Sequence, residues 1–573
     1  MIARHAGAGA LYCDEKTVLR RRVSTVAHRP RASSRGGDVT VASSAVSIIR
    51  DWEPISRIPQ SQAQGKTMKT KLAAAMIAAA FCTPALATPT LINYLSISGA
   101  APDATNPQNC AVAGACTANE NRLSLASDLY YDRFTNTYIG LADRGPGGGV
   151  VSYDTRFHEF SLNVAANGAI SALNVLTSPV FHDSGTPFNG LNPLLLNGNK
   201  SVLGQSHDPE GVAVLPNGNL LVADEYGPAV REFTRSGALV RTFATPANLV
   251  PRQSNNTINY VDGRSNSGAA PAITSGRQDN RGYEGLTLSP DGTKAYAVMQ
   301  DPLVNEGSDG DGSVLDGEGR RSRNVRIVEF DVATGQPGRQ FIYQLDSIAD
   351  INAGLPSDLF AATQQGRNIG MSGIVALNDN EFLVIERDNR GVGVDPASLL
   401  PVGSKRIYKI DISGASDVSA ISLNNTNTLP LVVVPVTKSL YLDLAAALQA
   451  AGLVIPEKLE GIAIGPRLFN GSYLLLFGTD NDFSVTQSGA GEQFDVCTNG
   501  NDTTTPTVYS LDNPLGSGCA IGQSLVPTYL YAFSADFAAD GIIYRQRLPL
   551  PASLGLFGIG AFVLYRAKRR KAS

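Results

Sequence analysis

The strongest constraint on this chain is a pattern of four short apolar runs between residues 208 and 243. The runs, 211–215, 220–223, 229–233 and 238–243, are separated by Pro216-Asn217-Gly218-Asn219, Tyr226-Gly227-Pro228 and Ser236-Gly237. Short runs punctuated by Gly, Pro and Asn predict an antiparallel meander. Four strands within about 35 residues match one β-propeller blade. Glu210 stands at the start of the first run and Asp224-Glu225 at the end of the second. A hairpin makes those two points neighbours, so one rim of the blade carries clustered carboxylates.

The pattern recurs. Glu284-Gly285 opens a run that returns to Gln300-Asp301, and Glu460-Gly461 opens one that returns to Asp480-Asn481-Asp482. Gly373 opens a third, with Ser372 in the Glu position, returning to Glu386-Arg387-Asp388, and 125–131 opens a fourth, returning to Asp143. The landmarks Asp143, Asp224, Asp301, Asp388 and Asp480 are 77 to 92 residues apart, more than bare blades of about 40–50 residues need. The expected fold is therefore an all-β propeller of four-stranded blades, six favoured within a range of five to seven. Long loops are expected at 165–207, 244–280 and 300–324. Residues 439–452, rich in Leu and Ala and closed by Gly452, read as a helix. A third strand at 528–533 lacks a fourth behind it, and 91–97 is placed to supply one and close the ring.

The ends differ from this body. Met68-Lys69-Thr70-Lys71, the apolar 72–82 and Ala85-Leu86-Ala87 form a secretory signal over 68–87. Such a signal belongs at the start of a protein, so 1–67 reads as an upstream extension and 88–547 as the exported domain. The tail 548–573 holds an uncharged run, 554–565, followed by Arg566-Ala567-Lys568-Arg569-Arg570-Lys571. That layout suits a short membrane span with its basic end inside.

Without its ends the chain is strongly acidic: residues 88–547 carry 29 basic and 46 acidic side chains. Such a surface disfavours nucleic acid and suits divalent cations. Four cysteines remain there, and in an exported domain they suggest disulfides, Cys110 with Cys116 and Cys497 with Cys519. With no CxxC pair and three histidines in that span, a zinc site is disfavoured.

The crowded carboxylates point to hard-cation chemistry. Glu210, Glu284 and Glu460, with Asp224, Glu225 and Asp480, are the candidate ligands for Ca²⁺. Glu210 and Glu284, with His207 beside Asp208, are the candidate catalytic groups. Arg281, Lys405 and Arg406 are candidates to clamp phosphate oxygens. No Gly-x-Ser-x-Gly elbow is present, which disfavours a serine esterase. A Glu before Gly at a strand start also suits a structural role, bonding amides or pairing with Arg across a channel.

These signatures together resemble the phytase-like domain, also described as esterase-like activity of phytase. The motifs are DPEG…DEYG (208–211 and 224–227), NRGxEGL (280–286) and NVRIxEFD (324–331), with ERD…KRIYxxD (386–388 and 405–411) and xEGxAxGPRL…DND (459–468 and 480–482). The resemblance implies a propeller related to calcium-dependent phytases, acting on small phosphoesters. A lactonase-like metal-dependent hydrolase and a non-catalytic extracellular binding or matrix protein are the alternatives. Separately, Pro549-Leu550-Pro551-Ala552 and the basic end resemble PEP-CTERM sorting signals. That resemblance implies a bacterial exported protein, at the cell surface, outside the cell or in the periplasm, transiently anchored in the inner membrane and processed by an exosortase-type enzyme.

If Met68 is the initiator, N-terminal sequencing of the exported form should begin at Thr88. A mature protein that retains Trp52, the single tryptophan, would refute this reading.

Overall fold

The computed structural model describes residues 89–104, 121–261, 273–311, 318–395, 400–488, 492–498, 510–514 and 518–546. The upstream extension, the signal, the Cys110 and Cys116 pairing and the sorting tail lie outside the described residues. Among the described residues no helix is long and apolar enough to cross a membrane.

Among the described residues, five four-stranded antiparallel sheets form the body, apart from one inserted sheet. Blade 1 is Leu129–Asp132, Thr137–Leu141, Phe157–Val164 and Ile170–Thr177. Blade 2 is Pro209–Val214, Leu220–Asp224, Ala229–Phe233 and Leu239–Thr242, matching the four runs of the sequence. Blade 3 is Tyr283–Leu288, Lys294–Met299, Asn324–Asp331 and Gln336–Gln344. Blade 4 is Ile369–Ala376, Glu381–Asp388, Lys405–Asp411 and Thr437–Asp443. Blade 5 is Leu459–Arg467, Tyr473–Thr479, Thr528–Ala535 and, from the other end of the domain, Thr90–Ile97.

The first strands of the blades adjoin in the cycle 1–2–3–4–5–1, so the ring closes as a β-propeller. Among the described residues the five legible signatures are its five blades, one fewer than the favoured count. The surplus spacing is taken up by insertions. One is a small sheet of Val485–Ser488, Glu492–Thr498 and Ser510–Pro514 between the second and third strands of blade 5, carrying the expected Cys497–Cys519 disulfide. The closing strand pairs antiparallel with Thr528–Ala535, Thr90 opposite Ser534 and Ile97 opposite Thr528.

Two local expectations are corrected. Residues 439–452 divide: Thr437–Asp443 is the outer strand of blade 4, and only Leu444–Ala450 is helical. Pairing with Lys405–Asp411 overrides the helix propensity of Leu440 and Leu442, and Asp443 then caps the short helix through the Ala446 amide at 2.9 Å. The expected loop 165–207 contains Ile170–Thr177, the outer strand of blade 1; its alternating exposure reflects a sheet edge facing solvent.

The first strands share a device. Ladder register skips at Glu210, at Glu284 and at Glu460, each just before a glycine, and blade 4 shows the same skip at Ser372-Gly373. These are β-bulges, which turn one side chain out of the ladder. The glycines allow the first strands to touch: a Cβ on Gly211 would lie 2.6 Å from the Leu286 amide, and one on Gly373 2.5 Å from the Glu460 carbonyl. In blade 1 the glycine position holds Asp128. Its carboxylate points into the channel, accepting the Leu129 and Val212 amides at 2.8 Å each, and the Ile462 and Leu286 amides also donate toward it. One buried side chain thus ties together the first strands of four blades. Burial raises the Asp128 carboxyl well above its usual range even against those four amides.

Asp128→Ala should leave these amides without an acceptor, each at about 1–3 kcal/mol. A clearly lowered denaturant midpoint is expected with the β circular dichroism retained; an unchanged midpoint would show that the hub is dispensable.

Candidate functional site

The bulges aim at the end of the channel where the first strands begin and the second strands end. Aligning the ladders places Asp143, Glu225, Gln300, Arg387 and Asp480 at equivalent positions, one per blade, at or just beyond the ends of the second strands. Inside them lie the bulged Glu210, Glu284 and Glu460. All eight side chains are buried in the rim.

Three groups of carboxylates bring their oxygens within 4.8 Å of one another: Asp143–Asp480–Asp482, Asp143–Asp208–Glu210, and Glu210–Glu225–Glu284. They form a continuous line, sharing Asp143 and Glu210, but they are not equally neutralised. In the first, the Lys458 ammonium lies 2.6 Å from Asp482 and 3.2 Å from Asp480, and Ser124 donates to Asp480 at 2.8 Å. In the second, Arg144 binds Asp208 through its guanidinium at 2.9 Å and its amide at 3.0 Å. The third has only remote cations: Arg144 is 3.6 Å from Glu225 and Arg387 3.7 Å from Glu284. One oxygen each of Glu210, Glu225 and Glu284 is buried there without a hydrogen-bond partner.

That electrostatic debt appears in their protonation. Burial, reinforced by Glu284, Asp208 and Glu460, raises the Glu210 carboxyl well above its usual range. Burial, then Glu225 and Glu460, does the same to Glu284. Burial and Asp208 push Glu225 up to about 8. Without a cation such a cluster can only hold protons. An all-oxygen donor set with three unsatisfied oxygens fits a hard divalent ion such as Ca²⁺. Asp480, by contrast, is lowered despite its burial, because Lys458 and Ser124 stabilise its charge.

The remaining sequence candidates distribute as follows. Glu460 is in the rim but paired with Arg387, which also donates to Ser372 at 3.0 Å. Asp224 faces away from the line; it pairs with Arg231 and accepts the Asp208 and Tyr226 amides at 3.1 and 2.9 Å. Neighbours in an extended strand point oppositely, so of the pair Asp224-Glu225 only Glu225 enters the rim. His207 is buried among Phe181, Phe188 and Phe233, bonded to Thr155 at 2.9 Å and kept neutral by burial, so it is not positioned to orient water. Lys405 is fully buried on the Asp388 and Glu457 carbonyls, both at 2.6 Å. Arg406 pairs with Asp346 at 2.7 Å. Neither joins the carboxylates.

Arg281 does. It donates to Gln300 at 2.6 Å, and Gln300 in turn binds Glu284. Its guanidinium lies 3.1 Å from Asp301, whose carboxyl burial raises to about 6. Beside it is Arg367, lowered to about 10 first by the charge of Arg281 and then by burial. Among the described residues the Arg367 side chain has no hydrogen bond or ion pair. Sequence reasoning missed Arg367, Asp208 and Asp482 as neighbours of the site, although 208 and 480–482 lie within the quoted motifs.

Fold and site define a five-bladed propeller with an under-neutralised carboxylate line at one channel mouth. Residues 121–483, more than half of the chain, match the Phytase-like family, esterase-like activity of phytase, and the chain belongs to it. An uncharacterized secreted protein of Arthroderma benhamiae is 28% identical over 198 residues, covering 32% of this chain and 35% of its own length. The chain thus spans about a third of that relative. A luciferin-regenerating enzyme is 11% identical at a TM-score of 0.25, covering 79% of this chain and 100% of its own. The Dos1 propeller is 9% identical at 0.21, covering 71% and 67%. Superpositions this weak carry no argument about this chain.

The sign of the pH dependence follows from the raised carboxyls. Unfolded, Glu210, Glu225 and Glu284 release their protons near pH 4.5; folded, they hold them to higher pH. In chelator, stability should therefore fall as pH rises from about 5 through about 8, where Glu225 ionises. Glu225→Gln should flatten the upper part of that fall in melting temperature; an unchanged slope would remove Glu225 from the cluster.

Proposed function

We propose that this protein is an exported, Ca²⁺-dependent hydrolase of small phosphoesters, with its site at the acidic channel mouth. The observation that carries the reading is the meeting of the three unsatisfied oxygens of Glu210, Glu225 and Glu284 with two adjacent guanidiniums. Membership of a family described by esterase-like activity supports hydrolysis, and the secreted relative supports export. A cation bound by these carboxylates would supply charge neutralisation and polarise a phosphoryl oxygen.

The chain's own residues perform the rest. Glu210, Glu225 and Glu284 hold the cation, with Glu284 fixed by Gln300. Arg281 and Arg367 repel one another, and an anion between them relieves that repulsion, so they are the phosphate clamp in place of Lys405 and Arg406. Glu210, aimed by its bulge and with one oxygen turned to the cation, takes the proton of the attacking water on the other; as the water oxygen bonds to phosphorus the ester P–O bond breaks, and that proton passes to the departing alkoxide. No covalent nucleophile is needed.

Ca²⁺ should raise the melting temperature of the full chain in a concentration-dependent way, and Glu210→Gln should remove most of that shift. Phosphoester turnover should vanish in chelator and with Glu210→Gln, while Arg281→Ala raises KM at least tenfold. Turnover of lactones alone would favour the lactonase-like reading. No turnover, and no response to Ca²⁺ or chelator, would favour a binding protein.

A further inference from the structure

The face opposite the carboxylates has a chemistry of its own. First strands run from the bulged glutamates towards it, and second strands start there. Thr90 pairs with Ser534, and Ala535 with Tyr473, the first residue of a second strand. Both ends of the propeller therefore leave on this face: the chain enters at Thr90, and after Thr528–Ala535 it crosses the channel end as far as Gln546.

At blades 1 and 5, next to those exits, the hairpin tips are apolar and basic in a domain that is otherwise acidic. Phe134, 49% exposed, and Phe469, 93%, stand on those tips, and Ile543, 65% exposed, lies on the segment that follows Thr528–Ala535, its carbonyl accepting from Asn378 in the hairpin of blade 4. Beside them in the chain, Arg133, Arg467 and Arg545 line one cavity at the channel end, about 280 Å³ in volume. Arg467 and Phe469 also border a groove between blades 1 and 5 of about 630 Å³. Arg545 pairs with Asp379 at 2.8 Å, but both remain largely exposed. Exposed aromatic tips flanked by guanidiniums match the headgroup boundary of an anionic bilayer, where rings sit at the interface and arginines meet lipid phosphates. The chain outside the described residues points the same way, since the uncharged run 554–565 begins eight residues after Gln546.

We infer that this face docks on an anionic lipid bilayer through Phe134, Phe469 and Ile543 with Arg133, Arg467 and Arg545, turning the carboxylate mouth away from the membrane. The docking is independent of the proposed hydrolysis. It makes the propeller a sided device, its tethered end against lipid and its cation site open to the solvent beyond.

The test uses the full chain in a Trp52→Phe background, so that each variant carries one tryptophan. Phe469→Trp reports on the tethered face. Val202→Trp, exposed on the loop leading into the Glu210 strand, reports on the other. In vesicles of phosphatidylglycerol and phosphatidylcholine with brominated acyl chains, Phe469→Trp should be quenched and Val202→Trp should not. Arg133→Gln with Arg467→Gln should weaken that quenching, by about fivefold per arginine in apparent affinity for the anionic lipid. Circular dichroism of each variant checks the fold. Equal quenching of both reporters, or quenching unaffected by replacing phosphatidylglycerol with phosphatidylcholine, would overturn the proposal. So would a Phe469→Trp emission shift without quenching, which would mean that a second copy of the chain covers this face.

Discussion

The structure turns on the contact among the five first strands at the channel. Glycines at 211, 285, 373 and 461 let neighbouring backbones touch, and at the fifth position Asp128 collects amides from four blades. A propeller leaves its innermost amides facing the channel, where a polar group without a partner is costly. A single carboxylate of the right length satisfies them and draws the strands inward. The same closeness crowds the bulged glutamates one step further up. Hub and site are thus two consequences of one backbone geometry.

That crowding explains why the rim is not a uniform ring of ligands. Burying so many carboxylates is sustainable only if most are neutralised. Lys458 serves Asp480 and Asp482, Arg144 serves Asp208, and Arg387 serves Glu460. Glu210, Glu225 and Glu284 are left with distant cations and unsatisfied oxygens. Protons or a hard cation must supply the balance, and the two compete for the same oxygens. The structural pairs thereby leave the need for a ligand at Glu210, Glu225 and Glu284, with Asp143 beside them also raised by burial and by the charge of Asp480.

Sidedness is the second consequence. The carboxylates gather where first strands begin, because the bulge is at the strand start. The domain's ends gather where first strands finish, because the closing strand is antiparallel to Thr528–Ala535. The topology of the last blade alone puts the carboxylates and the ends of the domain on opposite faces.

Much of this was legible in the residues. Short apolar runs between turn residues marked the blades, and the repeated Glu-Gly marked the starts of their first strands, because both are local backbone requirements. The unmatched strand near 528 predicted its partner near 91, since an unpaired edge in the last blade would leave the ring open. Cys497 and Cys519 lie close enough in sequence for one loop to join them. Blade number was not legible, because insertions lengthen the spacing between signatures without adding blades. Nor was the choice between Asp224 and Glu225, which depends on a register that only the folded ladder sets. Lys405 and Arg406 looked as available as Arg281, and packing alone decided that the first two are consumed by Asp388 and Asp346. Asp128 carried no signal at all: its role exists only once amides from four blades, up to 334 residues away at Ile462, converge on one point. Local pattern specified the repeating unit, and ring closure decided which charges meet and which remain unsatisfied.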